Sequence, residues 1–170
     1  RPRCRSSDSL RTPTARSLQT RLYHDAFGSL FKRIEAAQTV DQRITEYAYD
    51  RLGRQIAMVQ PGWYDPATGR VEALPAAGRF QRSLATTYDA LGNQVRTKLL
   101  TGINSYQYEY KTYDNLGSVV YDVDALSNVT AFAYNPFGEQ ASVTRYSKSV
   151  GTPPAGVETP WTASALASAL

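Results

Sequence analysis

Asp122 and Asp124 stand two residues apart in a segment patterned like a strand, which would put both carboxylates on one face, as a hydrolase needs for paired acid and base work. A turn-proximal, solvent-facing strand edge explains the same pair without chemistry. Asp25, Asp50, Asp89 and Asp114 suggest calcium, but each brings a single carboxylate where such a site gathers several oxygens. Cys4 is the only cysteine and His24 the only histidine. No disulfide can form within the chain, a Cys/His zinc tetrad is excluded, and any nucleophile–histidine relay must run through His24 alone. His24 reads better as a packing residue. The expectation is a chain with no catalytic residues, no metal and no cofactor.

The elements that would position these residues are set by patterning. The chain has 170 residues, 42% of them hydrophobic, enough for one domain, and no apolar run approaches the roughly 18 residues that span a bilayer. The net charge of +4 is unevenly placed. Six arginines against Asp8 precede position 22, which leaves thirteen basic against fourteen acidic groups over residues 22–170. A basic end rich in Arg, Ser, Thr and Pro attracts phosphate weakly and reads as solvated chain, so nucleic acid is not an expected partner. Residues 1–20 are expected to be disordered, 21–146 to form a β array, and 147–170, with Pro153-Pro154, Gly156 and Pro160, to be a Pro/Ser/Ala-rich linker or unpaired tail.

The array rests on one short unit. It recurs as His24-Asp25-Ala26-Phe27-Gly28, Tyr49-Asp50-Arg51-Leu52-Gly53, Tyr88-Asp89-Ala90-Leu91-Gly92, Tyr113-Asp114-Asn115-Leu116-Gly117 and Tyr134-Asn135-Pro136-Phe137-Gly138. A further apolar position follows three residues after each glycine: Phe31, Ile56, Val95, Val120 and Ala141. Asp65 to Gly69 and Asp124 to Asn128 look like degenerate relatives. Asp at the first corner of a turn accepts a hydrogen bond from the N–H two residues on, and Gly at the last corner tolerates the exit geometry. After the glycine, runs such as Gln94-Val95-Arg96-Thr97-Lys98-Leu99 alternate at period two, with Val95, Thr97 and Leu99 on a dry face. Tyrosines before each Asp would stack across neighbouring strands. Helix is expected nowhere except Phe31 to Gln42 or the Ala-rich end. A lone hairpin cannot bury its apolar face, so stability must come from neighbours continuing one sheet.

Tyr-Asp-x-Leu-Gly followed by Asn or Arg resembles the YD repeat of the RHS family over roughly residues 22–146. The resemblance implies an all-β fold in which antiparallel hairpin repeats form part of a spiralling β-sheet shell, with disordered termini. It implies a secreted or surface-exposed parent protein whose wall encloses a toxic C-terminal domain, with flanking YD repeats and that domain as partners. The family's self-cleaving core segment has no counterpart here, so self-cleavage is not carried over. Two other readings stand beside the shell. Outward-facing tyrosines would suit a cell-surface module binding carbohydrate or protein, and a stretch cut from a larger gene would have no function of its own. Alone, the array is expected to be poorly stable or prone to aggregate because its strand edges lack partners.

Overall fold

A computed structural model describes residues 18–39, 42–65, 67–72 and 78–170. Most of the segment expected to be disordered, residues 1–17, lies outside the described residues. The fold is all-β and antiparallel. Among the described residues twelve strands run β1 (Arg21–His24), β2 (Leu30–Glu35), β3 (Arg43–Tyr49), β4 (Gln55–Val59), β5 (Trp63–Asp65), β6 (Arg70–Glu72), β7 (Ser83–Tyr88), β8 (Gln94–Gly102), β9 (Ser105–Tyr113), β10 (Val119–Val123), β11 (Val129–Tyr134) and β12 (Gln140–Arg145), followed by helix α1 (Ala163–Ala169).

Ten strands form one sheet in the order β1-β2-β3-β4-β7-β8-β9-β10-β11-β12, while β5 and β6 make a separate two-stranded ribbon. In such a meander, successive turns fall on alternate ends of the sheet. All five Asp/Asn-x-Leu/Phe-Gly turns therefore share one end. The other end carries the connections at 36–42, 60–82, 103–104 and 124–128. The longest of these holds the β5–β6 ribbon, tied down where Tyr64 and Phe80 exchange backbone hydrogen bonds of 2.6 and 3.0 Å. The array passes beneath this insertion unbroken, because β4 pairs directly with β7 through Ala57↔Ala85 and Met58↔Leu84.

The apolar position three residues after each glycine has a specific structural meaning. Tyr49 pairs with Gln55 while Ala48 pairs with Ala57, which leaves Ile56 as an extra residue in its strand. The same step leaves out Phe31, Val95, Val120 and Ala141 in the other four hairpins. Each is a β-bulge, one extra residue that bends the strand and increases its twist. A strict period-two reading across Val95 fails for this reason.

Residues 147–170 depart from the linker or unpaired tail expected from sequence. Val150, Trp161 and Leu166 are buried with Tyr110, Val123 and Val129, and Leu166 is 0% exposed. The Ala-rich end is the helix, its N-terminus capped by Thr162, whose side chain accepts a hydrogen bond from the Ala165 N–H. The other helical candidate, Phe31 to Gln42, begins instead as β2 and turns at Ala36 and Gln38, both with positive φ.

Candidate functional site: a row of like turns with apolar tips

The five turns are built alike from local bonds. In each, the N–H of the Leu or Phe donates to the Oδ1 of the leading Asp or Asn, at 2.8 to 3.0 Å. The residue after the glycine donates its N–H to the same oxygen at 2.8 to 2.9 Å. The glycine N–H closes the turn onto the carbonyl of the leading residue at 2.9 to 3.2 Å. All five glycines have φ between 77° and 94°, the left-handed region where a side chain is strained.

The carboxylates are thereby committed. Oδ2 of Asp50 accepts from Arg54 Nε at 2.7 Å, and Oδ2 of Asp89 accepts from the Asn93 side-chain amide at 2.9 Å. Desolvation raises the pKa of Asp50 and Asp89, but the hydrogen bonds from Arg54 and Leu52, and from Asn93 and Leu91, outweigh it and hold both below the ordinary value. The Ser118 N–H is the main cause of the same lowering at Asp114. No group of three or more His, Cys, Asp or Glu residues that could hold a metal ion occurs among the described residues.

Asp124 to Asn128, degenerate in sequence, folds as a full member of the set. Leu126 N–H and Asn128 N–H reach Asp124 Oδ1 at 2.8 and 2.9 Å, and Ser127 takes the glycine's conformation with φ 65°. This turn lies at the opposite end of the sheet. Asp124 is therefore a turn corner, while Asp122 sits within β10, 3.7 Å from Lys111 Nζ. The two carboxylates thus have separate structural partners. Asp65 likewise organises the β5–β6 turn, accepting from the Ala67 N–H at 2.9 Å.

The tyrosine before each Asp connects repeats. Tyr49 Oη donates to Leu30 O at 2.9 Å, Tyr88 Oη to Gln55 O at 3.0 Å, Tyr113 Oη to Gln94 O at 2.8 Å and Tyr134 Oη to Val119 O at 3.0 Å. In every case the acceptor lies two residues after the glycine of the preceding copy. Each repeat is thus bolted to the one before it, and the Tyr88 bond spans the β5–β6 insertion. Arg54 adds to this joint by lying 4.5 Å over the Tyr88 ring while holding Asp50. His24 opens the first of the five copies, where no earlier copy in this chain offers an acceptor.

Ring stacking across strands, expected for these tyrosines, is therefore not their main role. Tyr23 and Phe31 do meet across β1 and β2 at 6.4 Å, but the stacked pair Tyr108 and Tyr110, at 6.2 Å, lies along a single strand.

The fourth residue of the unit behaves unlike the others. Phe27 is 94% exposed, Leu52 77%, Leu91 77%, Leu116 86% and Phe137 89%. Five large apolar side chains thus stand in water along one end of the sheet, about two strand spacings, or roughly 10 Å, apart. Between the first two turns lies an open groove of about 440 Å³ lined by Asp25, Phe27, Phe31, Tyr47, Tyr49 and Asp50 among others. Sequence reading placed the Leu/Phe position in the motif without seeing its exposure.

A second feature went unseen in the sequence. Glu158, in the presumed tail, accepts from Arg96 Nη1 at 2.7 Å, Lys98 Nζ at 2.6 Å and Tyr108 Oη at 3.0 Å, and the Tyr110 hydroxyl donates to Val157 O at 2.9 Å. The hydrogen bond from Lys98 is the main cause of the lowered Glu158 pKa, and Glu158 in turn raises that of Lys98. Arg96, expected on the wet face of β8, has only 12% of its side chain exposed beneath this segment.

Comparison with protein-family models and with curated proteins finds no match.

Proposed function

We propose that this chain is a structural segment of a YD-repeat β-shell of the RHS type, contributing hairpins to the wall of a secreted or surface protein that encloses a toxic C-terminal domain. The observation that carries this reading is the tyrosine bolt. A residue that fastens each repeat to its predecessor by a bond to a main-chain carbonyl extends a sheet without limit, which is what a wall requires and a self-contained site does not. The end strands of the described sheet, β1 and β12, support it as well. Among the described residues β12 ends the sheet and all six of its residues are exposed, an edge that suits pairing with further repeats.

The test is to sequence outward from the coding segment, then subject the complete product to limited proteolysis. Further Tyr-Asp-x-Leu-Gly copies leading to a terminal domain that resists protease until the wall is opened by Tyr→Phe changes at the bolts would support the wall. A terminal domain cleaved as readily inside the intact product as when free would overturn it.

A second reading draws on the groove between the first two turns, where Phe27, Phe31 and Tyr47 offer aromatic faces of the kind that stack on sugar rings. Under it the chain is an adhesion module. A glycan array probed with the protein, and lost binding on Phe27→Ala, would favour that role over the wall.

A further inference from the structure

Two joints between successive repeats are built from the same parts and differ in one side chain. Where the second copy meets the third, Arg54 follows the glycine and reaches into the joint. Its Nε donates to Asp50 Oδ2 at 2.7 Å, its guanidinium lies 4.5 Å over the Tyr88 ring, and its Nη1 stands 3.6 Å from where a Cβ would sit on Gly92. Where the first copy meets the second, the matching residues are Asp25, Tyr49 and Gly53, and all three line the open groove of about 440 Å³. The residue that matches Arg54 there is Ser29, too short to cross the joint.

The parts that would hold a guanidinium are left open as a result. Asp25 accepts from the N–H groups of Phe27 and Ser29, both at Oδ1, so Oδ2 is open among the described residues. In Asp50, Asp89 and Asp124 the same oxygen takes a side-chain donor from four residues on. A Cβ on Gly53 would meet nothing within 4 Å. Tyr49 keeps its bolt to Leu30 O while lining the groove. Phe31 and Tyr47 add aromatic surface where the second joint has Ile56 and Thr86.

We infer that the groove between the first two turns is a binding site for a guanidinium group, the side chain of an arginine from outside the joint, with Asp25 Oδ2 as counter-ion and the Tyr49 ring as stacking face. A planar guanidinium meets both demands at once, its edge forked onto a carboxylate and its face laid on a ring, whereas an ammonium is compact and strongly hydrated. Arg51, exposed and without an ion pair among the described residues, is the one cation lining the groove and opposes the ligand. The inference rests on the joint alone and stands whether or not the array belongs to a shell wall.

The test is an NMR titration of the isotope-labelled full chain with Nα-acetyl-arginine amide. The amide signals of Ser29 and Gly53 should shift at millimolar ligand while those of Gly92 and Gly117 stay, and added salt should weaken the effect. Nα-acetyl-lysine amide should bind several-fold more weakly. Asp25→Asn should weaken binding at least about tenfold without unfolding the turn, since Asn135 closes the fifth turn through the same bonds. Ser29→Arg, which copies Arg54, should abolish binding, and Arg51→Ala should tighten it. Residues 1–17 carry five arginines that supply the same group within the chain, so the titration is repeated with all five changed to Gln. A rise in affinity assigns the site to those arginines, and an unchanged affinity assigns it to an arginine of a separate molecule. No shift at Ser29 and Gly53 in either protein overturns the inference. So does binding that survives Asp25→Asn, and so do shifts caused by a methyl pyranoside and not by the arginine amide, which would make the groove a sugar site.

Discussion

The two ends of the main sheet solve different problems. At the motif end, every turn is held by bonds that stay within five residues of chain, and the apolar side chain points into water. At the opposite end the connections differ in length and only 124–128 repeats that turn, and toward it Val123, Val129 and Tyr110 are buried under Val150, Trp161 and Leu166, residues up to 56 positions away in sequence. Order at the first end is local hydrogen bonding alone; at the second, hydrophobic burial is added to it. A repeat can therefore recur many times without a core of its own, provided that something elsewhere covers the sheet. In this chain the cover comes from the C-terminal segment.

The sharpest way to break this contrast is to attack the cover. Trp161→Ala should cost about 3–5 kcal/mol in urea unfolding, since it empties a buried site, whereas Leu91→Ala at a tip should stay within about 0.5 kcal/mol. Equal effects would mean that the two ends do not differ as described.

Acid should act next, and mainly through the turns. Asp50, Asp65, Asp89, Asp114 and Asp124 all have pKa values lowered from the ordinary 3.8. Groups shifted down in the folded state contribute stability that is complete above the unfolded value and is lost as pH falls through the folded one. Unfolding free energy should thus be level from neutral pH to about pH 5, yield first at Glu158, whose ordinary value is 4.5, and then fall steadily below about pH 4. Asp89→Asn should flatten part of that slope, whereas Trp161→Ala should lower the curve without changing its shape.

A smaller effect is expected at a bolt. Tyr88→Phe deletes one hydroxyl and leaves the Gln55 carbonyl without its donor, at a cost of about 1 kcal/mol by urea unfolding. Because Tyr88 joins repeats across the β5–β6 insertion, hydrogen exchange should also rise in β4 and β7 ahead of β10 and β11. The smallest change in stability is reserved for the tips, where Leu91→Ser should leave the urea midpoint nearly constant because that side chain is already 77% exposed.

Legibility followed range. The Asp-to-N–H bond two residues on and the glycine exit were readable in the sequence at all five copies because both partners lie inside the motif. The apolar residue three positions past each glycine was readable as a regularity, yet its identity as a bulge was not, since a bulge is defined by the partner strand. Asp124 to Asn128 was seen as degenerate because Ser127 replaces glycine, although the Asp124 carboxylate and a tolerated positive φ suffice to close that turn. Trp161 was the one signal in the tail that could have warned of packing, a large ring among Pro, Ser and Ala.

The sequence by itself thus determined the repeat, its turns and the all-β antiparallel fold, because those depend on hydrogen bonds between residues a few positions apart. Tertiary structure alone decided that the tyrosines bolt one repeat to the last, that Glu158 returns to Arg96 and Lys98, and that the leucine of the motif faces water while Trp161 does not. Burial and long-range pairing depend on which strands become neighbours, and no local pattern carries that information.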